Sequence, residues 1–256
     1  MSELFDLINA WDYKTDDKKL ISSSKNILNE WEVALSVNGN LWLNFCTSPC
    51  DLSQLAIGFL FNESIIKGLD EIEDVKVDTD YHVLKVKLRK PIDISNNLLR
   101  TSTGLGISPK GRKNLLPSSS STYTAGTIAS LYDQFLASRP TNNESVGGLH
   151  CAALSDGSKI NLLIEDIGRH NCIDKLAGYW LSSGKSFIPQ ILILTGRISS
   201  EMVQKSLAMN IHVLVSRTTP TIKAIELAKV TGVTVIGYVR QGNFSVFSHP
   251  EVIVEF

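Results

Sequence analysis

The chain has 256 residues, a formal charge of -1 and 43% hydrophobic residues. This balance is typical of a globular protein that buries its own core, and it excludes bulk electrostatic binding of nucleic acid. No run approaches the ~20 apolar residues of a membrane-spanning helix, and Glu3 and Asp6 stand where a signal peptide carries basic residues. We therefore expect a cytoplasmic protein that binds neither membrane nor nucleic acid, with its four cysteines reduced.

The first hundred residues predict a small α+β domain. Apolar residues alternate from Trp31 to Phe45 around Asn38-Gly39, a pair that accepts the positive φ angles of a type I′ turn, so we expect a hairpin. Apolar residues at helical spacing then predict a helix from Leu52 to Gly68, with Asp51 as its N-cap. Short alternating runs predict two further strands, at 75–77 and 84–88.

The segment 101–125 is rich in Ser, Thr and Gly and has little apolar periodicity. This composition predicts a mobile loop that joins the first domain to a second one. Loops of this length are uncommon inside compact domains unless they are functional or disordered.

The segment 126–256 alternates between strand and helix patterns and predicts a second, α/β domain whose sheet has parallel neighbours and helices on its faces. The expected elements, in chain order, are a helix at 127–137, hairpin strands at 149–154 and 160–164, a helix at 170–181, a strand at 191–194, a helix at 200–209, a strand at 212–215, a helix capped by Thr219 and opened by Pro220 that runs to 230, and a final strand at 234–239.

Three strand-to-helix junctions of this domain carry an arginine near the predicted helix start: Arg169, Arg197 and Arg217. Free backbone N–H groups beside a guanidinium suit phosphate, and ligands of open α/β sheets gather at the carboxyl ends of strands. The sequence therefore predicts an anion site at one sheet edge. A structural interpretation stays open, in which Gly168 and Gly196 form turns, Ser199 and Thr219 cap helices, and Arg169 pairs with Glu165 or Asp166.

Other polar residues of the region have structural interpretations. From the residues alone, Asp174 and Lys175 are expected on an exposed helix face, and His150 is expected to be a buried histidine with its hydrogen bonds satisfied. Zinc deaminases share the hairpin, helix, strand, helix order, but they place H-x-E on the first helix and P-C-x-x-C on the second. Here Cys172 stands in place of that glutamate and the second junction has no cysteine, so we expect neither structural zinc nor deamination.

The run from Glu165 to Lys175, EDIGRHNCIDK, resembles the E-D-x-G-R-H-N-x-x-D-K signature of the formate dehydrogenase accessory proteins called FdhD. Further matches extend the resemblance from about Trp31 to Pro250. They are Gly147-Gly148-Leu149-His150, Thr195-Gly196-Arg197 with Ser199, Pro220-Thr221, and the apolar run from Leu52 to Leu60.

The resemblance implies a fold and a role. The C-terminal domain should be similar to cytidine deaminases, and the protein should be a homodimer that binds the bis-guanylyl molybdopterin form of the molybdenum cofactor, with a guanosine diphosphate (GDP)-like nucleotide as a mimic. The expected partners are a cysteine desulfurase, which donates sulfur, and formate dehydrogenase, which receives the sulfurated cofactor. By family match the ligand-facing positions are Arg169, His170, Asn171, Asp174, Lys175, Gly196, Arg197 and Ser199, with Tyr238, Val239, Arg240, Gln241, Gly242 and Asn243 at the guanylyl groups.

One departure from the family pattern bears on the chemistry. The family carries sulfur on a C-x-x-C loop, whereas this chain has Thr103 and Gly106 at the two cysteine positions. A hydroxyl cannot form a persulfide, so this loop cannot carry sulfur. Three interpretations stay open: a cofactor-binding module without sulfurtransferase activity, a carrier that uses Cys172 or Cys151 with a thiol pKa lowered by the helix start and Arg169, and an unrelated nucleotide-binding enzyme. No residue is identified as catalytic.

Overall fold

The computed structural model describes residues 4–90, 100–101, 121–140 and 147–255. These residues form a mixed α/β fold in which two sheets are joined through packed helices. Most of the predicted loop at 101–125, including Thr103 and Gly106, lies outside the described residues, although Tyr123–Thr124 form a short strand.

The chain begins with a two-stranded antiparallel arm that the sequence patterns did not predict. Strand β1 (Phe5–Lys14) pairs with β2 (Lys19–Leu28) along its whole length. Residues that pair directly share a face, and one face carries no charged residue. Four large side chains on that face, Leu7, Trp11, Tyr13 and Leu20, are 60 to 70% exposed.

A five-stranded sheet follows, in the order β5-β6-β3-β4-β7. Its strands are β3 (Trp31–Val37), β4 (Asn40–Thr47), β5 (Ile72–Asp78), β6 (Val83–Leu88) and β7 (Arg100–Thr101). The predicted Asn38-Gly39 turn is confirmed, with φ angles of 51° and 84°. Helix α1 (Leu52–Asn62) covers the sheet, and a short 3-10 turn, Leu69–Glu71, leads into β5.

Helix α1 departs from its predicted ends. It stops at Asn62 rather than Gly68, because Ser64 takes a φ of 60° and the amides of Ile65 and Ile66 turn back to the Leu60 carbonyl. Asp51 occupies the N-cap position, but its side chain makes no capping bond and instead accepts a hydrogen bond of 2.5 Å from the Tyr179 hydroxyl.

The second sheet has six strands in the order β10-β9-β11-β12-β13-β14. In chain order the elements of this half are β8 (Tyr123–Thr124), α2 (Ala125–Ala137), β9 (His150–Ser155), β10 (Ile160–Asp166), α3 (Arg169–Ser182), β11 (Ile191–Leu194), α4 (Ser200–Ala208), β12 (Val213–Ser216), α5 (Ile222–Thr231), β13 (Thr234–Arg240), β14 (Asn243–Ser248), a 3-10 turn Pro250–Val252, and β15 (Ile253–Val254), which pairs with β8. Strands β11, β12 and β13 are parallel, as predicted.

Both faces of this sheet are buried. Helices α3, α4 and α5 cover one face, and α2 covers the other together with Tyr123. The four residues of β11 are 0 to 2% exposed, which is why their run is continuously apolar rather than alternating.

Two predicted boundaries in this half are wrong. Helix α5 begins at Ile222, because the Thr221 hydroxyl accepts the Ala224 amide, whereas Thr219 and Pro220 form a bridge to Ile198. Strand β13 is not the last strand, since β14 pairs back along it after a tight turn.

The two halves meet where α1 crosses α3. A Cβ added to Gly58 would lie 1.7 Å from the Asp174 carbonyl oxygen, and one added to Gly178 would lie 2.1 Å from the Gln54 carbonyl oxygen. The helix backbones therefore touch directly, and no other residue type fits at either position without moving one helix.

We predict that Gly178→Ala lowers the free energy of unfolding by about 3 kcal/mol, because the methyl group meets backbone rather than a flexible side chain. Urea denaturation measures the change. Gly126→Ala, in the first turn of α2, is the matched control, because the added Cβ would meet the Thr124 hydroxyl oxygen at an ordinary contact distance of 3.6 Å; it should leave stability unchanged or raise it. Equal effects of the two substitutions would contradict the close crossing.

Candidate functional site

The signature segment lies at the end of β10 and the start of α3, and its second carboxylate, Asp166, is fully buried. Asp166 is 0% exposed and accepts five hydrogen bonds. The donors are Thr47 Oγ1 at 2.7 Å, the Ser48 amide at 3.2 Å, the Gly168 amide at 2.6 Å, Asn171 Nδ2 at 2.9 Å and Lys175 Nζ at 2.5 Å. The Lys175 charge compensates the buried carboxylate, and Thr47 and Ser48 connect it to the first sheet.

A second buried ion pair involves Asp174, the residue just before Lys175 in α3. Both oxygens of Asp174 accept from Lys205 Nζ at 2.6 Å, and Asn62 of α1 donates to the same carboxylate at 2.8 Å. Lys205 in turn belongs to α4, so this cluster connects three helices.

Three of the expected ligand-facing positions are therefore structural. Asn171, Asp174 and Lys175 are 2%, 2% and 0% exposed, and they bond to other parts of the protein. The expectation that Asp174 and Lys175 lie on an exposed face is also wrong. Their partners stand more than 30 residues away or on another element, so the local sequence gave no sign of the pairing.

We predict that Asp166→Asn destabilises the protein by about 3 kcal/mol, because it leaves the Lys175 ammonium buried without its counter-charge. The double variant Asp166→Asn with Lys175→Met removes both charges and should lose less stability than the sum of the single variants. A urea-denaturation double-mutant cycle measures the coupling, and additive losses would contradict the pairing.

Five consecutive signature residues, from Ile167 to Asn171, line a cavity of about 260 Å³. It is formed between the end of β4, the start of β9 and the first turn of α3. Its lining residues are Glu30, Cys46, His150, Ile167, Gly168, Arg169, His170 and Asn171.

The His150 imidazole lies near charges of both signs. Burial lowers its pKa, the positive charges of Arg169 and Arg197 lower it further, and the Asp166 carboxylate acts in the opposite direction. The expected role of His150 as a buried, satisfied histidine is wrong, since the residue is half-buried and lines the cavity. Gly196 lies against it, because a Cβ there would stand 3.2 Å from His150 Nδ1.

Two nitrogen atoms of the cavity residues lack hydrogen bonds within the described part of the chain. These are Arg169 Nε and His170 Nε2. Glu201 Oε2 lies 3.0 Å from His170 Nε2, but the geometry does not make a hydrogen bond. Arg169 does not take either of its predicted partners, since Glu165 lies 3.7 Å from Arg139 and Asp166 binds Lys175. Buried donors of this kind suit an anion.

The three predicted junctions lie side by side at one sheet edge. The Ser216 hydroxyl donates to the Gly196 carbonyl at 2.7 Å, and the Ile198 amide donates to the Thr219 carbonyl at 3.3 Å. Ser199 is the N-cap residue of α4, but its hydroxyl makes no capping bond. Arg197 and Arg217 are exposed at this edge.

The segment 238–243 comprises the end of β13, the exposed Gln241-Gly242 turn and the first residue of β14, and Tyr238, Gln241 and Gly242 take positive φ angles. The Tyr238 amide donates to the Thr218 carbonyl, which places the turn beside the third junction. Val239 differs from its neighbours, because it is 2% exposed and packs in the core under α2, so its side chain cannot face a ligand.

Cys172 and Cys151 do not fit the interpretation in which one of them carries sulfur through a thiol of lowered pKa. Cys172 is 1% exposed, and burial raises its thiol pKa well above the ordinary value, so the predicted lowering by the helix start and Arg169 is wrong. Burial likewise raises the pKa of Cys151 to about 12. Cys46 lines the cavity instead.

The described residues also bear on metal binding and on membrane insertion. No group of three or more His, Cys, Asp or Glu side chains there is placed to hold a metal ion. In that same part of the chain, no helix combines the length and apolar character needed to cross a membrane.

Comparison with known proteins identifies the family to which the chain belongs. The FdhD/NarQ family model matches residues 28–254. The chain belongs to the FdhD/NarQ family. Two relatives from Staphylococcus aureus, both named sulfur carrier protein FdhD, are 32% identical over 250 residues in strain MRSA252 and 31% identical over 251 residues in strain Newman, with 94% of each chain covered.

A solved structure from Desulfotalea psychrophila, described as a formate dehydrogenase accessory protein, has the same fold. The two structures align with a TM-score of 0.80 at 24% identity, over 98% of this chain and 100% of the other. The resemblance that the signature segment indicated is thereby confirmed, and its buried carboxylates are structural features of an FdhD-family protein.

Proposed function

We propose that this FdhD-family protein is an accessory factor for formate dehydrogenase that binds the bis-guanylyl molybdopterin cofactor at the arginine-bearing sheet edge. The observation that carries the proposal is the cavity at the start of α3, where the buried Arg169 Nε makes no hydrogen bond among the described residues and where Arg169 and Arg197 lower the pKa of His150. A buried guanidinium N–H without a partner fits a phosphate-bearing ligand. His170 Nε2, 3.0 Å from Glu201 Oε2, lies in the same cavity.

The volume of the cavity limits which part of the cofactor can fit inside it. At about 260 Å³ it lies just below the ~300–1,000 Å³ of typical ligand pockets. It suits one phosphate-bearing end, held by Arg169, His170 and Arg197, while the exposed 238–243 turn lies beside the third junction and is available to the guanylyl groups. When bound, the cofactor supplies the molybdenum centre, and the residues named here bind and orient it.

We also propose that the second half of the chain has a fold similar to that of cytidine deaminases. Its support is the element order, in which the β9–β10 hairpin is followed by α3, β11 and α4. The order is the one that zinc deaminases use, while the ligand residues of their zinc are replaced. A nucleotide-binding enzyme on this scaffold is the alternative, and no observation at the site favours it.

Sulfur handling is the second part of the proposal. The curated relatives are named sulfur carriers, and a cysteine desulfurase is the expected donor. Thr103 and Gly106 replace the cysteines of the family loop, so this protein can carry sulfur only on another of its cysteines. If no other cysteine accepts sulfur, the protein is a chaperone that binds the cofactor without transferring sulfur.

We predict that GDP binds with micromolar-class affinity and that Arg197→Ala weakens binding about fivefold, which is about 1 kcal/mol for an exposed charge-assisted contact. Isothermal titration calorimetry at fixed ionic strength measures both values. Lys229→Ala, which removes an exposed positive charge from the last turn of α5, is the control and should leave the affinity unchanged. Equal affinities of the wild type and Arg197→Ala would contradict the role of Arg197.

We propose further that the protein is a homodimer and that the uncharged face of the β1–β2 arm contributes to the interface. Two-stranded hairpins are marginally stable alone, and this one exposes Trp11 and Leu7 at 68% and 70%.

The double variant Trp11→Ser with Leu7→Ser should weaken dimerisation roughly 30-fold, or about 2 kcal/mol, in sedimentation equilibrium. Tyr81→Ser, at a 79% exposed residue away from the arm, is the control, and a monomeric wild type would contradict the proposal.

A further inference from the structure

Cys46 differs from the other cysteines in its surroundings. It stands near the end of β4 on the wall of the cavity, and its thiol donates a hydrogen bond to the Glu30 carboxylate. The lining of this cavity contains no other cysteine of the described residues. Cys151 and Cys172 are buried in the core, and Cys50 lies outside the lining with its sulfur 3.8 Å from Lys175 Nζ.

We propose that Cys46 is the thiol that receives sulfur in this protein, in place of the cysteines missing at Thr103 and Gly106. This inference rests on the proposed accessory function and assigns a residue to its sulfur-handling part. The donor is a persulfide, carried by a protein or by a small thiol.

The position of Cys46 is fixed by the signature segment. Asn171 Nδ2 donates to the Cys46 carbonyl at 2.7 Å and to Asp166 at 2.9 Å, so the buried carboxylate network also sets the backbone of this cysteine. The signature thus places a thiol beside the predicted phosphate site.

The cavity around the thiol contains a donor for an anionic group. Arg169 lines it, and its buried Nε makes no hydrogen bond within the described residues. His170 lines the same space while only 7% exposed, with its Nε2 3.0 Å from Glu201 Oε2. A persulfide formed on Cys46 ends in an anionic sulfur, and the Arg169 guanidinium is the donor that would stabilise it.

The transfer is an exchange of sulfane sulfur. The Cys46 sulfur attacks the terminal sulfur of the donor persulfide, a new S–S bond forms, and the S–S bond of the donor breaks. The Cys46 proton passes to the Glu30 carboxylate and then to the donor thiolate, which leaves as a thiol. The donor returns to a thiol, Cys46 becomes a persulfide, and no external oxidant or reductant is consumed.

The resting state of Cys46 is a protonated thiol. Burial and then the Glu30 carboxylate raise its pKa to about 11. Because the pKa is raised, the reactive thiolate is scarce at neutral pH and increases as the pH approaches 11.

Glu30→Gln removes the negative charge, lowers the pKa of the Cys46 thiol and should therefore increase the alkylation rate of Cys46 by iodoacetamide at pH 8 several-fold. An unchanged rate would show that Glu30 does not control this thiol.

The decisive experiment uses the full chain, reduced and then treated with a small-molecule persulfide. Peptide mass spectrometry should find the mass of one added sulfur on the peptide that contains Cys46. Cys46→Ser should abolish that addition, whereas Cys50→Ser, the matched change at the neighbouring partly buried cysteine, should retain it. Thermal unfolding of each variant verifies that it is folded.

The outcomes separate this inference from the proposed function. Sulfur found on Cys50, or on none of the four cysteines, would overturn the role of Cys46. In either case GDP binding by the same protein reports separately on the cofactor-binding function. Retained GDP binding without sulfur on Cys46 would leave that function standing, whereas sulfur on Cys46 without GDP binding would support the inference and count against the nucleotide site.

Discussion

The structure depends on one buried carboxylate. Asp166 lies at the end of β10, yet two of its five hydrogen bonds come from the other half of the chain, from Thr47 at the end of β4 and from Ser48 just after it. A charge in this position is costly to bury and is tolerated because Lys175 and the surrounding donors compensate it completely. The same carboxylate also holds Asn171, which bonds to the Cys46 carbonyl. One interaction therefore joins the two sheets and shapes the wall of the cavity.

This arrangement changes how the signature segment is understood. A run with so many charged and polar residues at a helix start is typical of a ligand site, and part of it does face the cavity. Arg169 and His170 line that space, whereas the buried Asp166, Asp174 and Lys175 side chains pair with other parts of the protein. Asn171 also lines the cavity, while its amide group bonds to Cys46 and Asp166. The segment therefore combines a structural part with a part that faces the cavity, and a substitution in the structural part would also displace the cavity wall.

Much of the fold follows from local patterns. The Asn38-Gly39 turn, the apolar strand β11 and the parallel order of β11, β12 and β13 are properties of short sequence windows, and they were predicted. The β1–β2 arm was missed because its apolar residues lie on both faces and its turn, Thr15 to Lys18, has no Gly or Asn. The partners of Asp166 were missed because they lie 118 and 119 residues away, and no local pattern encodes such pairings. For the same reason Cys46 and Glu30 were not recognised as neighbours of Arg169.

The glycine crossing of α1 and α3 limits how the cavity responds to a ligand. Its walls come from both halves of the chain, so a hinge or a sliding motion between the halves would be the simplest way to widen it. Such sliding normally takes place through side chains that change rotamer, and at Gly58 and Gly178 the contact is backbone against backbone. The close crossing therefore resists sliding of one half past the other. If the proposed ligand is larger than the cavity, the part that does not fit would lie on the exposed surface beside Arg169 and His170 rather than be enclosed by closure of the two halves.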